Sequence, residues 1–378
     1  MSDLLRQRPN TTGPMLAVWD DAQVLAHALR FEAALARAQA DVGVIPAEAA
    51  DHIARACSDI RPDPAELAEE AALAGTLAIP LVKRLRAAVP ESARDYVHHA
   101  STSQDMADTI TMMQARAGAK LLDTDTRRIL AALAPLARKH AHTPAMGRTL
   151  GQDALPIALG LRLAQWHAGV ADASAEFSRV MGKYAVLQFG GAVGTRTGNQ
   201  GEGAAVAERL GQMLGLPAAP PWHARRSGVA LIGSTLAALT GASGKLARDI
   251  AFSSQNALGE MREPQVAGRG GSSAMAHKRN PTGCQIALSA AARAPGLAST
   301  LLAGLPAEQE RGLGGWQAEA PVLADLFCIA SGSLAALAEV VEGLEIDTGA
   351  LADRVPDGDA DLGESAVLID TLLRIGEE

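Results

Sequence analysis

At 378 residues, 48% hydrophobic but only 3% aromatic, the chain has material for a sizeable core and a prior of roughly two or three domains. Its formal net charge of -8 argues against a nucleic-acid-binding surface as the main business, although an anionic substrate stays open wherever cations gather locally. Cys57, Cys284 and Cys328 are widely spaced, odd in number and without CxxC or Cys/His metal spacing, so they read as buried, reduced thiols in a cytoplasmic protein.

The apolar mass is Ala, Leu, Ile and Val with Ala abundant, and few stretches concentrate the β-branched and aromatic residues of strands. The expected fold class is therefore all-α. Residues 1–14 carry Asp3, Arg6 and Arg8 and lack the apolar stretch of a signal peptide. Residues 1–105 read as a small helical N-terminal domain of short helices, with breaks at Pro46, Pro62, Pro64, Pro80 and Pro90. Asp20 and Asp21 are candidate caps for the helix carrying Val24, Leu25, Leu29, Phe31 and Leu35.

Residues 106–345 read as a central bundle of long helices. The first spans about residues 109–140, with Leu122, Ile129, Leu133 and Leu136 on one face. A second begins after Pro156 and continues towards Leu187, and a third places Leu231, Thr235, Leu239, Ala242, Leu246 and Ile250 at helical spacing. A fourth follows Pro281, where Pro295 is expected to kink or interrupt it. The fifth starts near Trp316 and includes Leu323, Leu326, Ile329, Leu334, Leu337 and Val341. Residues 346–378 leave a short C-terminal remnant. The uncharged run between Arg226 and Lys245 is broken by Gly228, Gly233, Ser234, Thr235 and Thr240, which suits a buried bundle helix better than a membrane span. With no internal repeat at a fixed period, a bundle is preferred to a solenoid.

Polar, Gly-rich connections at 190–203 and 264–281 are where chemistry is to be sought. The second contains Gly270-Gly271-Ser272-Ser273-Ala274-Met275-Ala276-His277-Lys278-Arg279-Asn280-Pro281. Its glycines permit unusual backbone angles, and hydroxyls, an imidazole, cations and an amide follow closely. Such a loop offers anion-binding donors beside groups able to move protons, the alternative being a solvated surface loop.

The order of these residues resembles the signature of the fumarase/aspartase superfamily, Gly-Ser-Ser-x-Met-Pro-x-Lys-x-Asn-Pro, with Ala276 in place of the usual proline. The resemblance implies that Ser272 transfers the proton and that Lys278 and Asn280 hold the substrate's anionic groups. Val97-His98-His99-Ala100-Ser101-Thr102-Ser103-Gln104-Asp105 is similar to the family's early segment, with Ala100 where glycine is usual. Gly147-Arg148-Thr149-Leu150-Gly151-Gln152 resembles its second segment. Residues 186–195, Pro221-Trp222-His223 and Glu308-Gln309-Glu310-Arg311 leading to Trp316 are similar to the 3-carboxy-cis,cis-muconate cycloisomerase branch.

Several positions depart from the pattern. Leu150 occupies the place of a proton-transferring histidine in the superfamily's lyases, a histidine that carboxymuconate cycloisomerases also lack. Asp153 stands where some of those carry histidine, and Ser227 and Gly228 follow Arg226 where relatives show an Arg-Asp-Arg cluster.

The implied substrate-binding set is His98, Thr102, Ser103, Gln152, Arg226, Asn280 and Arg311, with Ser272 and Lys278 catalytic. For His98 the alternative is a hydrogen-bonded structural histidine, and for Thr102 and Ser103 it is capping the following helix. Arg226 and Arg311 offer bidentate forks to a carboxylate, the alternative for each being a surface or inter-subunit salt bridge. Asp153 is a base or merely the cap of a helix entered at Pro156. His99 and His277 read as peripheral, and Trp316 as core.

The implied activity is ring closure of a tricarboxylate diene to 4-carboxymuconolactone in aromatic catabolism. No nucleotide-cofactor fingerprint or metal-ligand cluster is present in the sequence, so no cofactor is expected. The implied partners are a small polycarboxylate and further copies of the chain, in a homotetramer with shared sites, and no nucleic acid or membrane. Two alternatives stand: a fumarate-releasing lyase of the same superfamily, and a helical scaffold that has lost its chemistry.

Overall fold

The computed structural model describes residues 4–275, 278–356 and 360–375; Ala276 and His277 therefore lie outside the described residues. The chain opens with short helices α1 (Leu4–Gln7), α2 (Gly13–Val18), α3 (Asp21–Asp41), α4 (Ala47–Asp59), α5 (Pro64–Ala74) and α6 (Ala78–Ala88). Of the two candidate caps, Asp20 holds the position, its carboxylate accepting the Gln23 N–H at 2.8 Å, while Asp21 lies in the first turn of α3. Pro64 opens α5 at a position whose N–H needs no partner, behind the Asp63 cap.

The remaining helices are α7 (Ser103–Lys139), α8 (Leu159–Tyr184), α9 (Gly203–Leu214), α10 (Ser227–Ser253), α11 (Thr282–Ala303), α12 (Glu319–Glu342), α13 (Thr348–Ala352) and α14 (Ser365–Leu373). Five of them, α7, α8, α10, α11 and α12, pack against one another as the bundle. Asp108 and Arg128 of α7 meet Glu319 (through Arg226) and Glu342 of α12, so these two helices run the same way. Arg226, just before α10, lies at the same end. α8 returns in the opposite sense, from the Lys139 end of α7 to Tyr184, which packs on Gly228. α11 also runs back along α10: Gly233 faces Leu301, and Gly244 faces Ala291. A Cβ at either glycine would sit 2.1 or 2.5 Å from its neighbour, so the missing side chains are what let the helices approach.

The fully buried core is aliphatic, with Phe31, Phe189 and Phe327 its largest rings. Three segments, Ser227–Ser253, Thr282–Ala303 and Trp316–Glu342, are long and apolar enough to cross a membrane by length and composition. The first and third bury 61% of their apolar window inside this one chain, but α11 buries only 28%.

Two expectations need correcting. The helix that Asp153 would cap is not entered at Pro156. Strand β1 (Pro144–Thr149) pairs antiparallel with β2 (Gln152–Ala158), and α8 starts only at Leu159. Leu150 and Gly151 both have positive φ, 53° and 77°, the signature of a two-residue hairpin turn whose twist matches the strands. Asp153 accordingly lies on a strand and caps no helix. Nor does Pro295 interrupt the fourth helix, which runs through it from Thr282 to Ala303. A short second ribbon, β3 (Met261–Arg262) with β4 (Glu345–Ile346), ties the Ser253 end of α10 to the end of α12.

Candidate active site

The early segment sits where α7, α10 and α12 begin. Asp105, fully buried in the first turn of α7, accepts the N–H groups of Thr102 (3.1 Å), Gly190 (2.8 Å) and Gly191 (2.9 Å), and pairs with His223 Nε2 at 2.8 Å. One carboxylate thus pins the start of α7, the 190–203 loop and the turn after Trp222. The Thr102 N–H contact is the Asp105 half of a capping box, with Thr102 at the N-cap position; Ser103 is the first helical residue, half-buried.

Arg226 is placed differently from the expectation. Its guanidinium is 2% exposed and holds Asp108 through Nη1 (2.8 Å) and Nη2 (2.9 Å), and Glu319 through Nε (3.0 Å) and Nη2. The ring of Trp222 covers it at 4.7 Å. Every nitrogen of the fork is engaged, so Arg226 is a buried keystone and not a free carboxylate receptor. Burial works against its charge, but Asp108 and Glu319 overcome that and raise its pKa. Burial likewise raises the Glu319 carboxyl, against the pull of Arg226.

His98 packs on the N-terminal helices: its Nδ1 lies 2.6 Å from Oε1 of the buried Glu32. Burial opposes an imidazolium here, but the charges of Glu32 and Asp105 outweigh it and raise the pKa above the ordinary histidine value. His99 is tied to the Gly198 carbonyl at 3.0 Å. Arg311 reaches the same end and donates to the Ala192 carbonyl at 2.9 Å, while its Nε is buried without a partner among the described residues.

The signature loop lies at the other end of the bundle, beside the C-terminus of α10 and the N-terminus of α11. It walls a cleft of about 980 Å³, lined among others by Arg262, Glu263, Arg269, Lys278 and Asn280. Ser272 Oγ accepts two backbone N–H groups, from Met275 at 3.1 Å and Ala274 at 3.3 Å. Asn280 closes the loop: its N–H donates to the Gly270 carbonyl (2.8 Å) and its Nδ2 to the Gly271 carbonyl (3.2 Å). Gly270 is at φ +75°, and a Cβ there would stand 2.7 Å from the Asn280 carbonyl oxygen. Lys278 is exposed, whereas Arg279 is anchored on Glu345.

The hairpin of the second segment is at this end too. Arg148 grips the fully buried Glu260 and reaches Asp153 at 2.9 Å, and Arg162 and Arg354 stand 3.9 and 3.7 Å from the same Glu260. Asp153 is thus the outer partner of a structural arginine. The hairpin tip projects outward, with Gln152 exposed and Leu150 98% exposed. Since α10 has 27 residues, roughly 40 Å separates the His98 end from the Ser272 end of one chain. Within a chain the fold therefore joins His98, Thr102, Ser103 and Arg311 in one group, and Gln152, Ser272, Lys278 and Asn280 at the other end. Among the described residues no group of three or more His, Cys, Asp or Glu side chains could hold a metal ion.

Sequence reasoning missed Glu32, Asp108, Glu260 and Glu319, the acids that hold His98, Arg226 and Arg148. Glu32 and Asp108 are acids within helices α3 and α7, Glu319 opens α12 and Glu260 lies in the connection before β3, so nothing local marks them before the partner is known.

The sequence pattern of a family described as Lyase matches residues 3–296. The chain is 43% identical over 341 residues to the 3-carboxy-cis,cis-muconate cycloisomerase of Bradyrhizobium diazoefficiens, covering 89% of this chain and 76% of that protein. It is 38% identical over 354 residues to the nitrosuccinate lyase of Streptomyces davaonensis, covering 90% and 74%. The crystal structure of the 3-carboxy-cis,cis-muconate lactonizing enzyme from Pseudomonas putida superposes with a TM-score of 0.87 at 37% identity, over 93% of this chain and 79% of that one.

Proposed function

The chain belongs to the fumarase/aspartase-like lyase superfamily, and from that membership we propose that it is a 3-carboxy-cis,cis-muconate cycloisomerase. The observation that carries the reading is the environment of Ser272. Two backbone N–H groups point at its Oγ, an arrangement that favours the alkoxide and makes a weak hydroxyl acid usable.

In the proposed reaction one substrate carboxylate oxygen bonds to the far carbon of a double bond conjugated to a second carboxylate. The displaced π pair moves onto that second carboxylate, and Ser272 delivers a proton to the carbon beside it. Substrate supplies the nucleophile, so the protein's task is to stabilise the charge that builds up. Lys278, exposed on the cleft wall, and Asn280 supply it; losing one such donor elsewhere costs about 2.7–4 kcal/mol. The reverse reaction uses the Ser272 alkoxide as base.

A site needing both groups of residues requires more than one copy, because they lie at opposite ends of the bundle. We read the largely uncovered apolar α11 and the exposed Leu150 and Leu155 as surfaces buried in a homotetramer. In that assembly the His98 group of one copy meets the Ser272 loop of another.

The test is an ultraviolet assay with 3-carboxy-cis,cis-muconate. Diene absorbance should fall as lactone forms, Ser272→Ala should abolish it, and mixing Ser272→Ala with His98→Asn should restore part of it. A folded wild type that leaves the diene intact sinks this substrate. Fumarate released from a succinyl compound would establish the lyase reading that the nitrosuccinate lyase likeness favours; Leu150, unable to carry a proton, counts against it.

A further inference from the structure

The contact between His98 and Glu32 links two segments 66 residues apart in sequence, and three features set it apart from an ordinary stabilising pair. Glu32 is fully buried as a side chain, yet only Oε1 is engaged; Oε2 has no partner among the described residues. An unsatisfied buried carboxylate oxygen is costly, and such exceptions call for a reason. His98 is also a non-glycine residue in left-handed backbone at φ +59°, a conformation that persists only where surrounding contacts impose it. Finally, its other ring nitrogen, Nε2, has no partner among the described residues and is not among the buried orphans, so the 13% of the side chain left exposed includes a nitrogen able to donate outward.

We infer that Glu32 is a positioning residue for the proposed reaction, holding His98 through Nδ1 so that Nε2–H is presented as a charged donor to a substrate carboxylate. The inference rests on the reading of the site given above and assigns a role to a residue outside the superfamily-like segments. The buried carboxylate fixes both the ring's orientation and its protonation.

The charged groups around the ring on balance favour the imidazolium. Glu32 of α3 and Asp105 of α7 favour the imidazolium, whereas burial and Arg86 of α6 oppose it. Cys57 of α4 does not compete for the proton: burial first, then the Glu32 charge, pushes its thiol up to about 12. Because the histidine pKa is raised in the folded protein, the charged donor is present at low pH and is lost as pH rises through the folded value. Glu32→Gln keeps an acceptor for Nδ1–H but removes the charge, so burial then dominates and the imidazolium is lost at lower pH.

Two measurements on the full chain read this out. The first is the binding of tricarballylate, a tricarboxylate that cannot lactonise, by calorimetry near neutral pH in buffers of different ionisation enthalpy. Glu32→Gln should take up more protons on binding than the wild type, because its ring must be protonated as the anion arrives. The second is the pH profile of kcat/KM with the muconate: the alkaline limb should move to lower pH, with a loss of at least about tenfold above it. Orientation and charge compensation by a buried carboxylate are worth up to ~10⁴ in the Ser-His-Asp case. A merely structural Glu32 would shift the melting temperature and leave both readouts alone; equal proton uptake and coincident limbs overturn the inference. Tricarballylate binding without turnover of the muconate would sink the substrate reading and leave the dyad standing; no binding to the wild type would overturn both. Should Glu32→Gln fail to fold, His98→Gln decides it: the alkaline limb disappears if the dyad sets it and stays in place if not.

Discussion

The two ends of the bundle solve opposite problems. Where α7, α10 and α12 begin, the polar groups are buried and shared. Asp105 accepts from three backbone N–H groups and pairs with His223, and Asp108 and Glu319 close on Arg226. At the signature loop, Ser272 and Asn280 are held by their own loop's backbone, and Lys278 is exposed. Around Arg226 lies a frame whose charges are spent on one another, whereas the signature loop leaves the Lys278 charge exposed for something outside the chain. The contrast teaches that an arginine in a family-like position is not thereby a ligand: what matters is whether its hydrogen-bonding capacity is already used.

The sharpest way to break the comparison is to remove one charge at each end. Arg226→Ala should strand Asp108 and Glu319 in the interior and cost about 3–5 kcal/mol in denaturant unfolding, because uncompensated buried charges are severe. A loss below about 1 kcal/mol would mean that the carboxylates find other partners and that the keystone description is wrong. Lys278→Ala should do the reverse. Being exposed, it should shift stability by no more than roughly 0.5 kcal/mol, yet lower kcat by about 10²–10³-fold if Lys278 meets charge in the transition state. Comparable losses of stability from both variants would erase the distinction between frame and free charge.

Arg148→Ala tests an intermediate case. Glu260 would keep Arg162 and Arg354 at 3.9 and 3.7 Å, so the cost should fall between the other two, about 1–3 kcal/mol. The hairpin should loosen with it, visible as faster amide exchange at the β1–β2 pairing. Unchanged exchange would show that strand pairing alone sets the hairpin.

How much of this was legible depended on how local the cause was. The long helices declared themselves through apolar periodicity, and the Asp20 cap through residue type. The β1–β2 hairpin did not. Its turn is Leu150-Gly151 instead of the usual Asn-Gly, and its exposed leucines mimic the apolar positions of a helix. Pro295, expected to kink or interrupt its helix, does not interrupt it, because a helix packed along α10 tolerates the loss of one backbone donor. The site residues of the signature loop could be named from their order, since that chemistry is contiguous. Arg226 could not be judged, because its partners lie 118 residues upstream and 93 downstream. Nothing in a sequence prints such a pairing, nor the Glu32 contact to His98.

The smallest predicted effect concerns the strain within the early segment itself. Ala100 has φ +52°, two residues after His98 at +59°, where an L side chain costs roughly 1–2 kcal/mol. Its surroundings are glycines: a Cβ at Gly191 would stand 2.9 Å from the Ala100 carbonyl oxygen, and one at Gly198 would stand 3.0 Å from the Ala100 Cβ. Ala100→Gly relieves the backbone but gives the unfolded chain more freedom, an offset of roughly 0.5–1 kcal/mol. The net expectation is a gain of about 0.5–1 kcal/mol, read as a higher denaturant midpoint. The gain should come without a change in activity if the frame holds His98 independently of residue 100. A lower midpoint would mean that the methyl group packs usefully against the Gly198 turn. A higher midpoint with reduced activity would mean that the tight backbone is part of how His98 is aimed, and the frame would then be less separate from the chemistry than its buried charges suggest.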